Sequence, residues 1–577
     1  MLFRKNNFYK SLFTIFLFFI LSLVFVYPFY NTYTVFHGDD LLFHIERINE
    51  ITENLKHLHI FTGIYTHSIL KIGYPLNLFY PWVTVLPFSL FQIILGNNVV
   101  GIYAGICFYT FFTLLFTYKV SYKICNNYNQ SVFTAVLYAF CSFRSCDIFI
   151  RFALGEFIAL TFLPLCVYGI YAILLGNYHD WPYLGFGMSF VLLSHVLSTV
   201  MNTILMILLL LIMIFKIGNN KLKRVLSLGK SILLFVLSSA IFIFPFLEQV
   251  CFQAFKQPGK MVLQDQAIAL TDLLSQSINN NMDSFVQYYP NIGLVLVIVI
   301  LIGLINFRSF NSMYKVLYCL GAFFLFISTS LFPWYKFENS LLSIIQFPWR
   351  FLGISSFMLS LIGGYEFELL SKEIAKKRRT IILILLTSLS LIIWGTSIHQ
   401  VKSSMISTAY RCDKYDNNGY HIAKNMINNR LKLYYFTDQY SPKAGLEQLT
   451  NIQNHIGLVN DKKILLKPKS NHVNQITFTS DKIKIKNSII VFPMFNYRNI
   501  IVTNANAKQI PIKFDKYHRI KILNRDGLNS FTIKYRLSTI DKISIIISLL
   551  TWLSSLLFYL NHNIKRVKFL LRNQDIK

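Results

Sequence analysis

The chain has 577 residues, of which 54% are hydrophobic, 16% aromatic and only 14% charged. Soluble domains carry roughly a quarter charged residues, so the composition excludes a soluble enzyme, a disordered chain and a nucleic-acid-binding domain; it points to a polytopic membrane protein. The net charge of +29 has to be read from where it sits.

The N-terminus carries Arg4, Lys5 and Lys10 ahead of an apolar run at 12–27. No small-residue cleavage site follows, only Tyr-Pro-Phe-Tyr, which predicts an uncleaved signal anchor with its basic end in the cytoplasm. Further apolar runs lie at 99–118, 131–147, 157–175, 183–200, 202–216, 231–247, 291–306, 316–332, 350–366, 380–398 and 542–560. Crossing a bilayer takes about 20 apolar residues, and these runs predict about twelve transmembrane helices. The stretch 80–95 is short and broken by Pro81 and Pro87, and reads as an interfacial or re-entrant piece. The stretch 183–216 is interrupted from Ser194-His195 to Thr199 and reads as two short spans. Basic clusters such as Lys221, Lys223 and Arg224, Lys376 to Arg379, and Lys565, Arg566, Lys568 and Arg572 then fall on the cytoplasmic side with both termini. The eight cysteines contain no CxxC and form no metal or disulfide framework; most lie inside apolar runs, and Cys251 and Cys412 lie in polar segments.

The first extracytoplasmic segment, 31–98, opens on His37-Gly38-Asp39-Asp40-Leu41-Leu42-Phe43-His44-Ile45-Glu46-Arg47-Ile48. Apolar residues at 41, 45, 48, 51, 55 and 58 follow helical spacing, predicting an amphipathic helix lying along the outer membrane surface. Asp40, His44 and Arg47 share one face of it. Asp39 or Asp40 can cap that helix. The same carboxylates stand where they can take a proton from an acceptor hydroxyl or hold a divalent cation. The second outer segment carries Arg151 and Glu156 around a helix start; Glu156 can complement the helix dipole while Arg151 snorkels, or the guanidinium can hold a lipid phosphate. His195 at a span end fits a packed histidine or a working one. Arg350 opens a span, where an unpaired charge is costly. All of these groups face one compartment in this topology.

Composition changes at Gln400. Residues 401–540 hold 23 Lys and Arg against 8 Asp and Glu, about half of the basic excess. Period-two alternation at Lys482-Ile483-Lys484-Ile485-Lys486 and at 531–537, with turn residues at Asn504 to Asn506 and Asn524 to Gly527, predicts a β-sandwich. Its charge reads equally as a solvated sheet face or as a contact for an anionic partner outside the cell.

The ordered motifs Gly-Asp-Asp-x-x-Phe-His-x-x-Arg-Ile, Tyr-Pro-Leu-x-x-Phe-Tyr-Pro, Arg-x-Ala-Leu-Gly-Glu-x-x-Ala, Leu-Ser-His and Gln-Phe-Pro-Trp-Arg-Phe-Leu, over about residues 30–355, resemble the bacterial family named 6-pyruvoyl-tetrahydropterin-synthase-related membrane proteins. These look like members of the GT-C glycosyltransferase superfamily, and no soluble pterin domain is visible here. The resemblance implies a GT-C-like module at 1–398, and the composition and apolar runs place after it an extracytoplasmic mainly-β domain at 399–541 and a final transmembrane helix with a basic tail at 542–577. The resemblance also implies a sugar moved from a polyprenyl-phosphate donor to a cell-surface glycan, wall polymer or glycolipid on the outer face of a bacterial membrane. By position, Asp39 or Asp40 acts as base, with His44, Arg47 and Glu156 in support, and Arg151, His195 and Arg350 hold the donor phosphate. Some GT-C enzymes use a divalent cation and others none, so the cofactor is open. The expected partners are membrane lipids, the lipid-linked donor and an anionic acceptor, with no nucleic acid. A lipid-linked-glycan flippase or a non-catalytic envelope scaffold are the competing readings.

Overall fold

The computed structural model describes residues 2–35, 38–217, 219–282, 289–407 and 435–572. His37 and Cys412 lie outside the described residues, as do the side chains of the C-terminal basic cluster. The helices are α1 (Leu2–Tyr30), α2 (Leu41–Lys56), α3 (Leu86–Leu95), α4 (Asn98–Cys125), α5 (Tyr128–Ala139), α6 (Ser142–Ser145), α7 (Leu154–Leu174), α8 (Pro182–Leu192), α9 (Val196–Met213), α10 (Lys221–Ser238), α11 (Ala240–Phe252), α12 (Leu270–Ile278), α13 (Leu294–Asn306), α14 (Ser312–Ile327), α15 (Leu352–Ser371), α16 (Lys376–Ser407) and α17 (Thr539–Arg572). Short 3-10 turns and one-turn helices connect them. Side-chain caps set several starts: Asn97 Oδ1 accepts from Val100 N, Asn127 Oδ1 from Gln130 N, and Asn311 Oδ1 from Met313 and Tyr314 N.

Among the described residues, six helices are long and apolar enough to cross a membrane, or eight if each of two bent pairs counts as one span. The number is lower than the twelve expected. The run 131–147 is bent by 41° between α5 and α6, and 231–247 by 69° between α10 and α11. The runs at 291–306 and 316–332 form helices of only 13 and 16 residues, and α15 is diluted by serine, glycine and glutamate. The 183–216 stretch breaks at Leu193–His195, where the polar residues interrupt the sequence. α7 is buried almost all round, whereas α1, α16 and α17 expose Leu12, Phe16, Ile384, Leu385, Leu389, Leu550, Leu553 and Leu557. Apolar faces of that size are at home only against lipid, and the chain is a multi-pass membrane protein.

Between α16 and α17 lies a β-sandwich. One antiparallel sheet has the order β2-β1-β5-β9-β8, from Lys462–Leu465, Ile456–Val459, Ser488–Phe495, Arg519–Asn524 and Lys513–Phe514. The other has the order β3-β4-β10-β6-β7, from Pro468–His472, Gln475–Thr479, Ser530–Tyr535, Ile500–Asn504 and Gln509–Ile510. Phe478, Phe492 and Phe531 interlock between them, with ring centroids 5.4 and 6.0 Å apart. The alternation at 531–537 does form a strand, β10. That at Lys482 to Lys486 does not: Asp481–Ile483 is a 3-10 turn, Ser480 Oγ accepts from Lys482 N, and only Ile483 is buried. Five residues with lysine at every second place satisfy a polar loop as readily as a strand.

The sandwich docks on the helical part by one end. Asn474 Oδ1 accepts from Gly63 N at 2.7 Å, Tyr74 Oη donates to Gln439 O at 2.7 Å, and Gln253 Nε2 donates to Asn496 O at 2.8 Å. Lys256 pairs with Asp438. This docking changes the reading of α2. Its apolar residues Leu41, Ile45, Ile48 and Ile51 join the helical core as the spacing predicts, but its other face is not solvated. Glu50 accepts from Thr66 N, His67 N and Ser68 N at 2.8 to 2.9 Å, and Phe43 packs on Phe436 of the β-domain at 5.3 Å. α2 is therefore a buried wedge between two layers rather than a helix floating on the membrane surface.

Candidate functional site

The first turn of α2 is pinned to the start of α7 through the main chain. Asp40 N donates to Arg151 O at 3.0 Å. Gly38 makes this approach possible, since a Cβ there would lie 2.6 Å from Ile150 O and 2.8 Å from Arg151 O. Asp40 occupies the N-cap position of α2, yet its side chain makes no capping hydrogen bond; it is half-buried and Asp39 is exposed. Burial raises the Asp40 carboxyl above its ordinary value. Arg151 and Arg350 pull it back down, and Asp39 and Glu156 push it further up. The electrostatic neighbourhood of Asp40 thus contains both arginines and the glutamate singled out above.

Arg151 does not snorkel. A π-helical turn at Cys146–Ile150 sets Asp147 and Arg151 side by side, and Arg151 Nη1 lies 2.6 Å from Asp147 Oδ1 and 3.1 Å from Glu156 Oε2. Its guanidinium stacks 4.3 Å from the Trp349 ring. Arg350 Nε lies 3.4 Å from the same Glu156 oxygen, while its Nη1 donates to Ile345 O at 2.9 Å and to Gln346 Oε1 at 3.3 Å. Two guanidiniums and two carboxylates balance one another in a buried cluster. Glu156 therefore does more than complement the α7 dipole.

A second group adjoins it. Arg47 is fully buried: Nη1 donates to His44 Nδ1 at 2.9 Å, Nη2 to Pro81 O at 2.5 Å, and the guanidinium stands 4.4 Å from the Tyr80 ring. Accepting at Nδ1 leaves the His44 proton on Nε2, and burial together with Arg47 holds this imidazole well below its ordinary pKa, hence neutral. His195 caps α9, its Nδ1 accepting from Ser198 N at 3.3 Å and from Ser198 Oγ at 2.8 Å. Tyr80 lies between the two histidines, with ring centroids 6.3 Å from His44 and 6.2 Å from His195. A Cβ on Gly155 would lie 2.6 Å from Tyr80 Oη. Residues 38–40, 44–47, 80, 147–156, 195 and 350 thus meet at the end of the helical bundle that carries the β-domain.

Sequence reasoning missed Asp147, Tyr80 and Trp349 as members of this group. The i,i+4 spacing of Asp147 and Arg151 was a visible signal; Tyr80 lies in the Tyr-Pro-Leu-x-x-Phe-Tyr-Pro motif, but its neighbours come from α2, α7 and the start of α9, which the motif does not report. Among the described residues no group of three or more His, Cys, Asp or Glu is placed to hold a metal ion.

No family model and no curated protein matches the chain, so the motif resemblance has no family-level counterpart. Among solved structures, the fold is similar to the arabinofuranosyltransferase AftD from mycobacteria, with a TM-score of 0.43 and 10% identity over 67% of this chain and 27% of that one. It is also similar to an oligosaccharyltransferase of Archaeoglobus fulgidus. The apo form gives a TM-score of 0.33 and 11% identity over 75% of this chain and 60% of that one. The complex with zinc and sulfate gives 0.33 and 11% over 74% and 57%. The chain spans about a quarter of AftD's length and under two thirds of the archaeal enzyme's. A likeness at this level does not carry function.

Proposed function

We propose that the chain is a membrane glycosyltransferase of the GT-C type, moving a sugar from a polyprenyl-phosphate-linked donor to a cell-surface glycan, wall polymer or glycolipid at the outer face of a bacterial membrane. The observation that carries this reading is the Asp40–Arg151 main-chain tie, which holds a carboxylate of raised pKa near two guanidiniums. In this reading residues 1–398 form the transferase module, 399–541 the extracytoplasmic domain and 542–577 the last crossing, with both termini cytoplasmic.

Asp40 removes the proton from the acceptor hydroxyl as that oxygen bonds to the sugar's anomeric carbon, and the bond from that carbon to the phosphate oxygen breaks. The leaving polyprenyl phosphate gains negative charge. Arg350 supports this best, because its Nη2 makes no hydrogen bond among the described residues, whereas Arg151 already serves two carboxylates. The Nε2–H groups of His44 and His195 supply neutral donors. Asp39, exposed one residue earlier, tunes Asp40. The test is transfer by the purified chain in proteoliposomes supplied with polyprenyl-phosphate sugars and an acceptor glycan. Labelled product supports the reading; donor carried across the bilayer without transfer makes the chain a flippase and overturns it.

A further inference from the structure

The two outward faces of the β-sandwich differ in a way that lysine-rich composition does not explain. On the sheet β3-β4-β10-β6-β7 the outward positions of the central strands are mostly uncharged: Gln475, Thr477, Thr479, Ser530, Thr532, Thr503 and the half-buried Ile501, with Lys534 the cation among them. Thr477 and Thr532 bond to each other at 2.9 Å, as do Thr479 and Ser530. The other sheet presents lysines and bare aliphatics. Lys513 pairs directly across from Lys521, Lys463 sits opposite Leu458, and Ile489 opposite Leu523. Ile489, Leu523 and Leu465 are 40%, 45% and 50% exposed. Like charges directly opposed on a sheet destabilise it. Among the described residues none of Lys463, Lys513 and Lys521 is in an ion pair. The fold keeps an unfavourable lysine pair and exposed aliphatics on one face, while the other sets Lys534 among hydroxyl side chains that hydrogen-bond to one another.

We propose that the β2-β1-β5-β9-β8 face binds a polyanionic glycan, the lysines meeting its phosphate or carboxylate groups and Leu465, Ile489 and Leu523 meeting the apolar faces of its sugar rings. The face lies on the sandwich wall. The domain docks on the bundle by one end, through Asn474, His472, Asn496 and the Tyr535 ring, and among the described residues none of these contacts falls on the outward positions of this face. As the acceptor's anchoring surface it rests on the transferase reading; as a binding surface it does not need the transfer step.

The experiment uses the full chain in neutral nanodiscs, with a hexose-phosphate polymer (sugar rings joined by phosphodiesters) as probe, dextran as neutral control and anionic vesicles as competitor. Wild type and Asp40→Asn are expected to bind the phosphate polymer alike, and neither to bind dextran. Lys463→Gln/Lys513→Gln/Lys521→Gln should weaken binding about tenfold or more at low salt, with the difference shrinking as salt rises. Lys467→Gln/Lys469→Gln/Lys534→Gln removes the same charge elsewhere and should change binding less than about threefold. Equal loss in both triple variants, absence of polymer binding, or a preference for anionic vesicles over the polymer overturns the proposal. Polymer binding by a chain that transfers no sugar leaves the surface standing and removes only the transferase reading.

Discussion

The Asp40 N–H donates to the Arg151 carbonyl at 3.0 Å, joining through the backbone two segments more than a hundred residues apart. Gly38 sits flat against the same peptide. Gly38→Ala must push the two strands of chain apart, and a shift near 1 Å at a reacting centre costs on the order of 100-fold. We expect transfer to fall at least about tenfold with the protein still inserted and folded; the check is initial rate beside thermal unfolding in the same micelles.

Glu50 tests the wedge role of α2 independently of any activity. Its carboxylate accepts three main-chain N–H groups and Ser68 Oγ. Glu50→Ala leaves those donors unsatisfied in a buried place, a loss of about 3 kcal/mol or more. The midpoint of thermal unfolding should drop by several degrees, and limited proteolysis should open first within 62–75.

The shared oxygen of Glu156 makes the ion cluster strongly interdependent. Glu156→Gln leaves two guanidiniums facing Asp147, and breaking a buried pair costs about 3–5 kcal/mol. Adding Arg350→Gln removes the surplus charge, so the double variant should be more stable than the two single losses add up to. A double-mutant cycle by chemical denaturation measures this directly.

Much of this was legible in sequence and some was not, for physical reasons. The apolar spacing of α2 and of β10 survives because each buries one face against a core that the pattern already marks. The lysine alternation at 482–486 misled because alternation without buried partners on one side specifies no sheet. The site groups Asp40, Arg151, Glu156 and Arg350 stand out as charges at helix starts. The burial of Arg47 and the placing of Tyr80 depend on the β-domain and on α9, which no local pattern reports. The sequence pointed to about twelve crossings where six to eight among the described residues are long and apolar enough by length and composition; the runs at 291–306 and 316–332 form helices of only 13 and 16 residues, and an apolar run does not report where its helix ends.

The pH dependence of transfer has a definite sign. In the proposed transfer Asp40 takes up a proton, which it can do only when deprotonated, and its carboxyl is raised by burial and by Asp39. Activity should therefore fall as pH drops through a value above that of an exposed aspartate. Asp39→Asn removes one of the charges that raises Asp40 and should move this acid limb to lower pH; kcat/KM profiles of the two proteins decide it.

The most direct test compares Asp40→Asn with Asp39→Asn in the proteoliposome transfer assay, with folding confirmed by matched unfolding curves. The account predicts that Asp40→Asn inserts normally and transfers no measurable sugar, while Asp39→Asn keeps a substantial rate. Transfer by Asp40→Asn at the wild-type rate would contradict it.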